Sequence, residues 1–317
     1  MTNDRLGVLD IGSNTVHLLV FDTMRGTMPV PSVSDRSVVR LMRYVDENGV
    51  ITPEGVDALS SAVSSAMTRS KKAKVDELLV MVTSAIRDAA NGEQVLEHLR
   101  GLIGLDVQVL SGPDEARLTF LAVRRWYGWA AGRLLVLDIG GGSLEVATGM
   151  DEEPELAVSL PLGAARLTHD HLPDDPPSRQ QVDRLVQVID EALHPLVGRM
   201  AQVPSPDRVV ATSKTFRSLA RLAGMRTDAG GSEPRWRMSA EQLSDWVPRL
   251  LRIPAEQRIE LPGVTPERTY QIVAGAVVAD RVLDRLGVET VEICPWALRE
   301  GALLRHLDRA GDQPPRP

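Results

Sequence analysis

The chain has 317 residues, 43% of them apolar and 25% charged, with 36 Lys plus Arg against 43 Asp plus Glu and a formal net charge of −7. That length predicts two domains, and the acidic balance means that a phosphate site must concentrate its arginines locally while general nucleic-acid binding is not expected. One cysteine, Cys294, excludes a disulfide framework and a cysteine-based zinc site and fits a reducing cytoplasm; the start MTNDRLGVLDIG shows no signal-peptide pattern, and no window of eighteen apolar residues suggests a membrane span.

Along the chain, Leu6–Leu9 and Val16–Asp22 read as paired strands around a Gly-Ser-Asn-Thr turn. Thr52-Pro53 opens a helix, with Thr as N-cap and Pro at the first helical position, and Val56, Leu59, Val63 and Met67 follow on one face. Glu77–Val82 is a buried strand running into Thr83-Ser84-Ala85-Ile86-Arg87, residues 93–102 a helix, and residues 107–110 a further strand. Ser111-Gly112-Pro113-Asp114 has capping-box spacing and starts a helix through Trp126. Leu135 to Thr148 (LVLDIGGGSLEVAT) then repeats Gly7 to Val20 (GVLDIGSNTVHLLV) after 128 residues.

Each copy is an apolar run ending in an aspartate (Asp10, Asp138), a Gly-rich turn with a hydroxyl residue, and a second apolar run. A strand–turn–strand of this kind offers consecutive backbone N–H groups to an anion. Glycine there lets the backbone approach a phosphate oxygen or adopt positive φ. A strand at Leu156–Leu160, a long helix through Val182–Leu196, a strand at Arg208–Ala211 leading into Thr212-Ser213-Lys214-Thr215, a helical stretch over 265–286, a strand over 288–293 and a final helix from Ala297 complete an α/β pattern. No Walker A sequence and no GxGxxG opening a helix after a strand is present.

Eight segments in order, VLDIGSNTVHLL, TSAIRDAAN, LSGPDEARLTF, LDIGGGSLEV, LPLGAARLT, ATSKTFRSLARL, LPGV and ALREGALL, resemble the exopolyphosphatase/guanosine pentaphosphate phosphatase family over residues 6 to 305. The likeness is greatest to its short, two-domain actinobacterial-type members. It implies two duplicated ribonuclease-H-like lobes of the actin, sugar-kinase and chaperone-ATPase superfamily, facing across an interlobe cleft. The expected division is residues 1–127, residues 128–305 with a final helix able to pack back on the first lobe, and a disordered tail over 306–317. Two departures stand out: Arg40-Leu41-Met42-Arg43 replaces a pattern in which a glycine often follows an Arg-Leu pair, and residues 223–256 match no family segment.

The same resemblance places the water-activating general base at Glu115. Independently, Asp114 falls on the capping-box position and leaves Glu115 outside it, at a helix N-terminus that favours the ionised carboxylate. Asp138 and Glu145 flank the turn and can take Mg²⁺ in a catalytic role, with Asp10 as a further ligand; a second divalent or a monovalent cation is compatible with such a site. Gly140, Gly141, Gly142 and Ser143 are expected to cradle the terminal phosphate, with Ser13, Asn14 and Thr15 opposite. Arg87 resembles the family arginine that contacts the phosphate chain, and Lys214, Arg217, Arg166 and Arg299 are weaker candidates.

His17 and Cys294 read as packed side chains, and Trp126-Tyr127-Gly128-Trp129 as packing between lobes. The implied activity is Mg²⁺-dependent release of orthophosphate from inorganic polyphosphate, short chains in particular. The alternatives are removal of the 5′-γ-phosphate of guanosine pentaphosphate and an ATP-dependent kinase-type module. Against a nucleotide, Lys214 and Phe216 put bulk where small residues usually admit adenosine. A cytoplasmic homodimer is the base-rate expectation.

Overall fold

The computed structural model describes residues 4–23, 30–227 and 235–311. The chain divides into two compact units, one made of residues up to Ser111 together with the segment from Leu298 onward, the other of Gly112–Ala297.

The first unit is built on a five-stranded sheet in the order β3-β2-β1-β4-β5, comprising β1 (Asp4–Ile11), β2 (Thr15–Thr23), β3 (Pro31–Val38), β4 (Glu77–Val82) and β5 (Val107–Val109). β1–β2 and β2–β3 are antiparallel, β1–β4 and β4–β5 parallel. Leu6, Val8, Leu9 and Ile11 of β1 are all buried, as a central strand covered on both faces requires. Its helices are α1 (Pro53–Lys72), α2 (Ser84–Arg87) and α3 (Gly92–Ile103). Thr52 caps α1 by accepting from the Gly55 amide at 3.4 Å, with Pro53 in the first turn.

The second unit starts with α4 (Gly112–Tyr127). Its seven-stranded sheet runs β10-β11-β12-β9-β6-β7-β8, from β6 (Leu134–Ile139), β7 (Leu144–Gly149), β8 (Leu156–Leu160), β9 (Arg208–Thr212), β10 (Met225–Thr227), β11 (Arg235–Ser239) and β12 (Thr290–Ile293). Within it, β8-β7-β6-β9-β12 repeats the first unit's order and directions, two antiparallel pairs followed by two parallel ones. The remaining helices of this unit are α5 (Ala164–His171), α6 (Arg179–Met200), α7 (Ser213–Ala223), α8 (Ala240–Leu250), α9 (Ala255–Arg258) and α10 (Gln271–Arg285). Both α6 and α8 begin with full capping boxes, Ser178 with Gln181 and Ser239 with Gln242. The core gathers Leu135, Leu137, Val146, Leu193, Phe216 and Val278, among others.

The unit boundary falls at 111/112, not at 127/128, because α4 packs on β7 and β8 and thus belongs to the second sheet. Trp126 packs against Trp296 inside the second unit with tilted rings, 5.3 Å between centroids, and Trp129 is exposed. The last helix, α11 (Leu298–Gly311), lies on β1 in the first unit and carries order through residues 306–311; residues 312–317 of the expected tail fall outside the described residues. Phe216 is fully buried in the core, so it does not obstruct a nucleotide pocket. No helix among the described residues is long and apolar enough to cross a membrane.

Phe216 has no exposed surface, so Phe216→Ala is expected to destabilise the second unit by about 3–5 kcal/mol. Equilibrium urea unfolding checks this, and a loss below about 1 kcal/mol would contradict the packing described.

Candidate active site

In the second unit, β6 and β7 meet at a turn closed by the Gly140 amide donating to the Ser143 carbonyl at 2.9 Å. The turn carbonyls are all engaged from one side. Ala164 N donates to Gly140 O at 3.0 Å, Ala165 N and Arg166 N to Gly141 O at 2.9 and 3.0 Å, and Arg166 Nε to Gly142 O at 2.8 Å. In a trans peptide the C=O and the following N–H point in opposite directions. The amides of Gly141, Gly142 and Ser143 are therefore aimed away from α5, in the arrangement that binds an anion.

None of the three glycines lies in the left-handed φ region, which corrects one of the two reasons given for them. What the turn needs is space. A Cβ on Gly163 would stand 2.2 Å from Gly142 C and 2.3 Å from Ser143 N, both backbone atoms that cannot swing aside. Arg166 thus acts as scaffold through Gly142 O.

Asp138 and Glu145 are direct cross-strand partners on β6 and β7, and both are buried. Ser159, opposite Glu145 on β8, donates to Glu145 Oε1 at 2.8 Å. The start of α4 sits on that same serine, since a Cβ on Gly112 would be 2.4 Å from Ser159 Cβ. Glu115 lies one turn further along α4 and is buried, whereas Asp114 is half-exposed and pairs with Arg117 at 2.9 Å. The two neighbouring acids are thereby separated in environment, with Glu115 the one held inside.

Lys214 is in the first turn of α7, directly after Ser213, whose φ of 78° is unusual for a residue with a side chain. Thr212 of β9 stands opposite Asp138, so this strained junction lies beside the turn. Thr215 Oγ1 donates to Ile139 O at 2.9 Å and accepts from Arg268 Nη1 at 3.2 Å. Arg268 was invisible to the sequence reading because it lies at no strand end and in no recognisable turn motif. Arg217 donates to Ser213 O at 3.0 Å and braces the helix start.

The first unit carries the corresponding turn, closed by Gly12 N to Thr15 O at 3.0 Å. Here Asn14 O accepts from Val39 N and Arg40 N, and Ser13 O from Leu41 N. Arg40 adopts φ 55°, so the segment that replaces the family's glycine-containing pattern is bent in the left-handed region and clasps the turn. Ser13 Oγ lies 3.5 Å from Ser84 Oγ. Arg87 donates to Asp88 at 2.9 Å and to Leu110 O at 2.8 Å, which fixes its guanidinium at the end of β5.

Asp10 faces His17 across β1–β2, the register position that Glu145 holds in the repeat. Burial pushes the Asp10 carboxyl above the usual carboxylate range, Arg299 opposes that shift, and Glu300 adds to it. His17 is packed and hydrogen-bonded, and Cys294 is buried.

Among the described residues no cluster of three or more His, Cys, Asp or Glu forms an all-protein metal cage. Two buried carboxylates side by side, Asp138 and Glu145, nevertheless fit Mg²⁺, which takes one or two carboxylates and completes its shell with water and substrate phosphate.

Two units with one strand order, each with an aspartate next to the end of its first strand before a closed turn, define a duplicated α/β protein. The chain belongs to the Ppx/GppA phosphatase family, whose model matches residues 19–310. It is 51% identical to Exopolyphosphatase 1 of Mycobacterium tuberculosis over 97% of this chain and 90% of that protein. The Mycobacterium leprae protein of the same name is 49% identical over 97% of this chain and 91% of its own length. The crystal structure of an exopolyphosphatase from Cytophaga hutchinsonii shares the fold with a TM-score of 0.85 at 24% identity, covering 96% of this chain and 98% of that one.

Inorganic phosphate is expected to raise the melting temperature of the wild type, and Gly163→Ala to displace the turn and remove that rise. Thermal scans with and without phosphate test this; an undiminished shift would show that the turn amides are not the anion site.

Proposed function

We propose that the protein is an exopolyphosphatase that releases terminal orthophosphate from inorganic polyphosphate, short chains in particular. The observation that carries this reading is the outward row of amides at Gly141, Gly142 and Ser143 beside the buried Asp138–Glu145 pair. The names of the mycobacterial relatives point the same way. A cytoplasmic location fits the single buried thiol.

In this reading the turn amides hold the terminal phosphoryl group, and Lys214 supplies charge beside them. Asp138 and Glu145 hold Mg²⁺, which when bound offsets the negative charge on the phosphoryl oxygens. Glu115, buried near the start of α4, takes a proton from a water molecule. The water oxygen forms a bond to the terminal phosphorus while the bridging P–O bond breaks, and the electron pair leaves with the shortened chain. The proton on Glu115 then passes to solvent. In the first unit, Ser13, Asn14, Thr15 and Arg87 are proposed phosphate contacts and Asp10 a proposed cation ligand.

Glu115→Gln keeps the shape and removes the base, so kcat for polyphosphate is expected to fall by ~10²-fold or more with KM little changed. Phosphate release from short and long polyphosphate, guanosine pentaphosphate and ATP is followed in parallel with Mg²⁺. Cleavage confined to guanosine pentaphosphate would move the substrate assignment and keep the chemistry. Cleavage of ATP alone would favour a kinase-type module, and a fully active Glu115→Gln variant would remove the proposed base.

A further inference from the structure

The carboxy-terminal helix brings one residue back onto the first unit's aspartate. Arg299, the second residue of α11, has its Nη1 3.5 Å from Asp10 Oδ2 and hydrogen-bonded to His17 Nδ1. Both Arg299 and Asp10 keep 17% side-chain exposure, so the pair is largely shielded. Arginine only donates, which makes His17 Nδ1 the acceptor and leaves Nε2 to carry the proton. That Nε2 lies 2.9 Å from Ser34 Oγ on β3. One guanidinium thus bridges adjacent side chains of β1 and β2, and the chain of contacts ends on β3.

We infer that Arg299 is a positioning residue: it holds the Asp10 carboxylate and the His17 ring in fixed orientation at the carboxyl end of β1 and does not itself bind substrate. Three features support this over a direct phosphate contact. Asp10 and His17, its partners, are protein side chains on neighbouring strands, one of them an anion. Its Nε is buried without a hydrogen-bond partner among the described residues, so the group is seated inward. Lastly, His17 occupies the position of Glu145 in the repeat, so across β1–β2 a cation-held histidine replaces the carboxylate partner. A partly buried aspartate is held in one direction by such a counter-charge.

The inference rests on the proposed activity only for its kinetic readout. Arg299→Met is expected to lower kcat for polyphosphate by roughly 10- to 100-fold, the range for misplaced groups, with KM within about threefold. Arg299→Lys should recover part of that loss by restoring a cation. In an Asp10→Asn background, Arg299→Met should cost little more, because a residue acting through Asp10 has nothing left to position. The same four-protein cycle, read as urea midpoints, should show that Arg299→Met shifts stability less when Asp10 is already Asn.

A large KM increase at unchanged kcat would make Arg299 a substrate contact and overturn the inference. Fully additive losses in both readouts would overturn it as well. Should the wild type release no phosphate from polyphosphate, the proposed function fails, while the stability cycle still decides whether Arg299 and Asp10 are coupled.

Discussion

The second unit's site depends on the direction of three peptide planes. Every carbonyl of the Gly140–Gly142 run is tied to the start of α5 or to the Arg166 side chain, and planarity then sends the next amides the other way. A row of main-chain amides is rigid and carries no side-chain entropy cost. It also has exacting neighbours. Gly163 must lack a Cβ because the turn backbone lies within 2.4 Å of where that atom would be, and Gly275 gives Thr215 the room to reach Ile139 O. Side chains that look like phosphate ligands by type, such as Arg166, are in fact what aims the backbone.

Duplication has preserved architecture more closely than chemistry. Both units share the strand order, the aspartate next to the end of the first strand, and the turn-closing amide-to-carbonyl bond. They differ in what grips the turn: the N-terminus of α5 in one, and the backbone of residues 39–41 in the other. They differ too in the residue facing the aspartate, Glu145 in one and His17 in the other. The first arrangement pairs two buried carboxylates across adjacent strands, whereas the second sets a carboxylate against a guanidinium. Two copies of one fold thereby offer unlike electrostatic surroundings around matching aspartates.

Much of this was legible beforehand because buried strands and capped helices write strong local patterns. Glu77–Val82 and Leu156–Leu160 appear with the bounds their apolar runs suggest, and Thr52-Pro53 starts α1. The strand at Pro31–Val38 escaped notice because an edge strand that is mostly exposed alternates Ser, Asp and Arg and has no apolar run to read. Residues 223–256 match no family segment, and the described part of that stretch supplies β10, β11, α8 and the start of α9. The unit boundary was missed for a different reason: α4 is amphipathic whichever sheet it covers, and periodicity does not reveal the sheet. For the candidate site, Asp138 and the glycine turn were readable from the repeat, while Arg268 and the partners of Arg299 depend on contacts between distant segments.

The first unit is discontinuous in sequence, its sheet lying before residue 112 and its last helix after residue 297. A ribosome adding 5–20 residues per second therefore finishes the sheet roughly 10–40 s before it makes α11. During that interval the intervening unit is made as one unbroken stretch, its last strand β12 only a few residues before α11. Asp10 must meanwhile wait without its guanidinium partner, so the unit that is begun first is completed last.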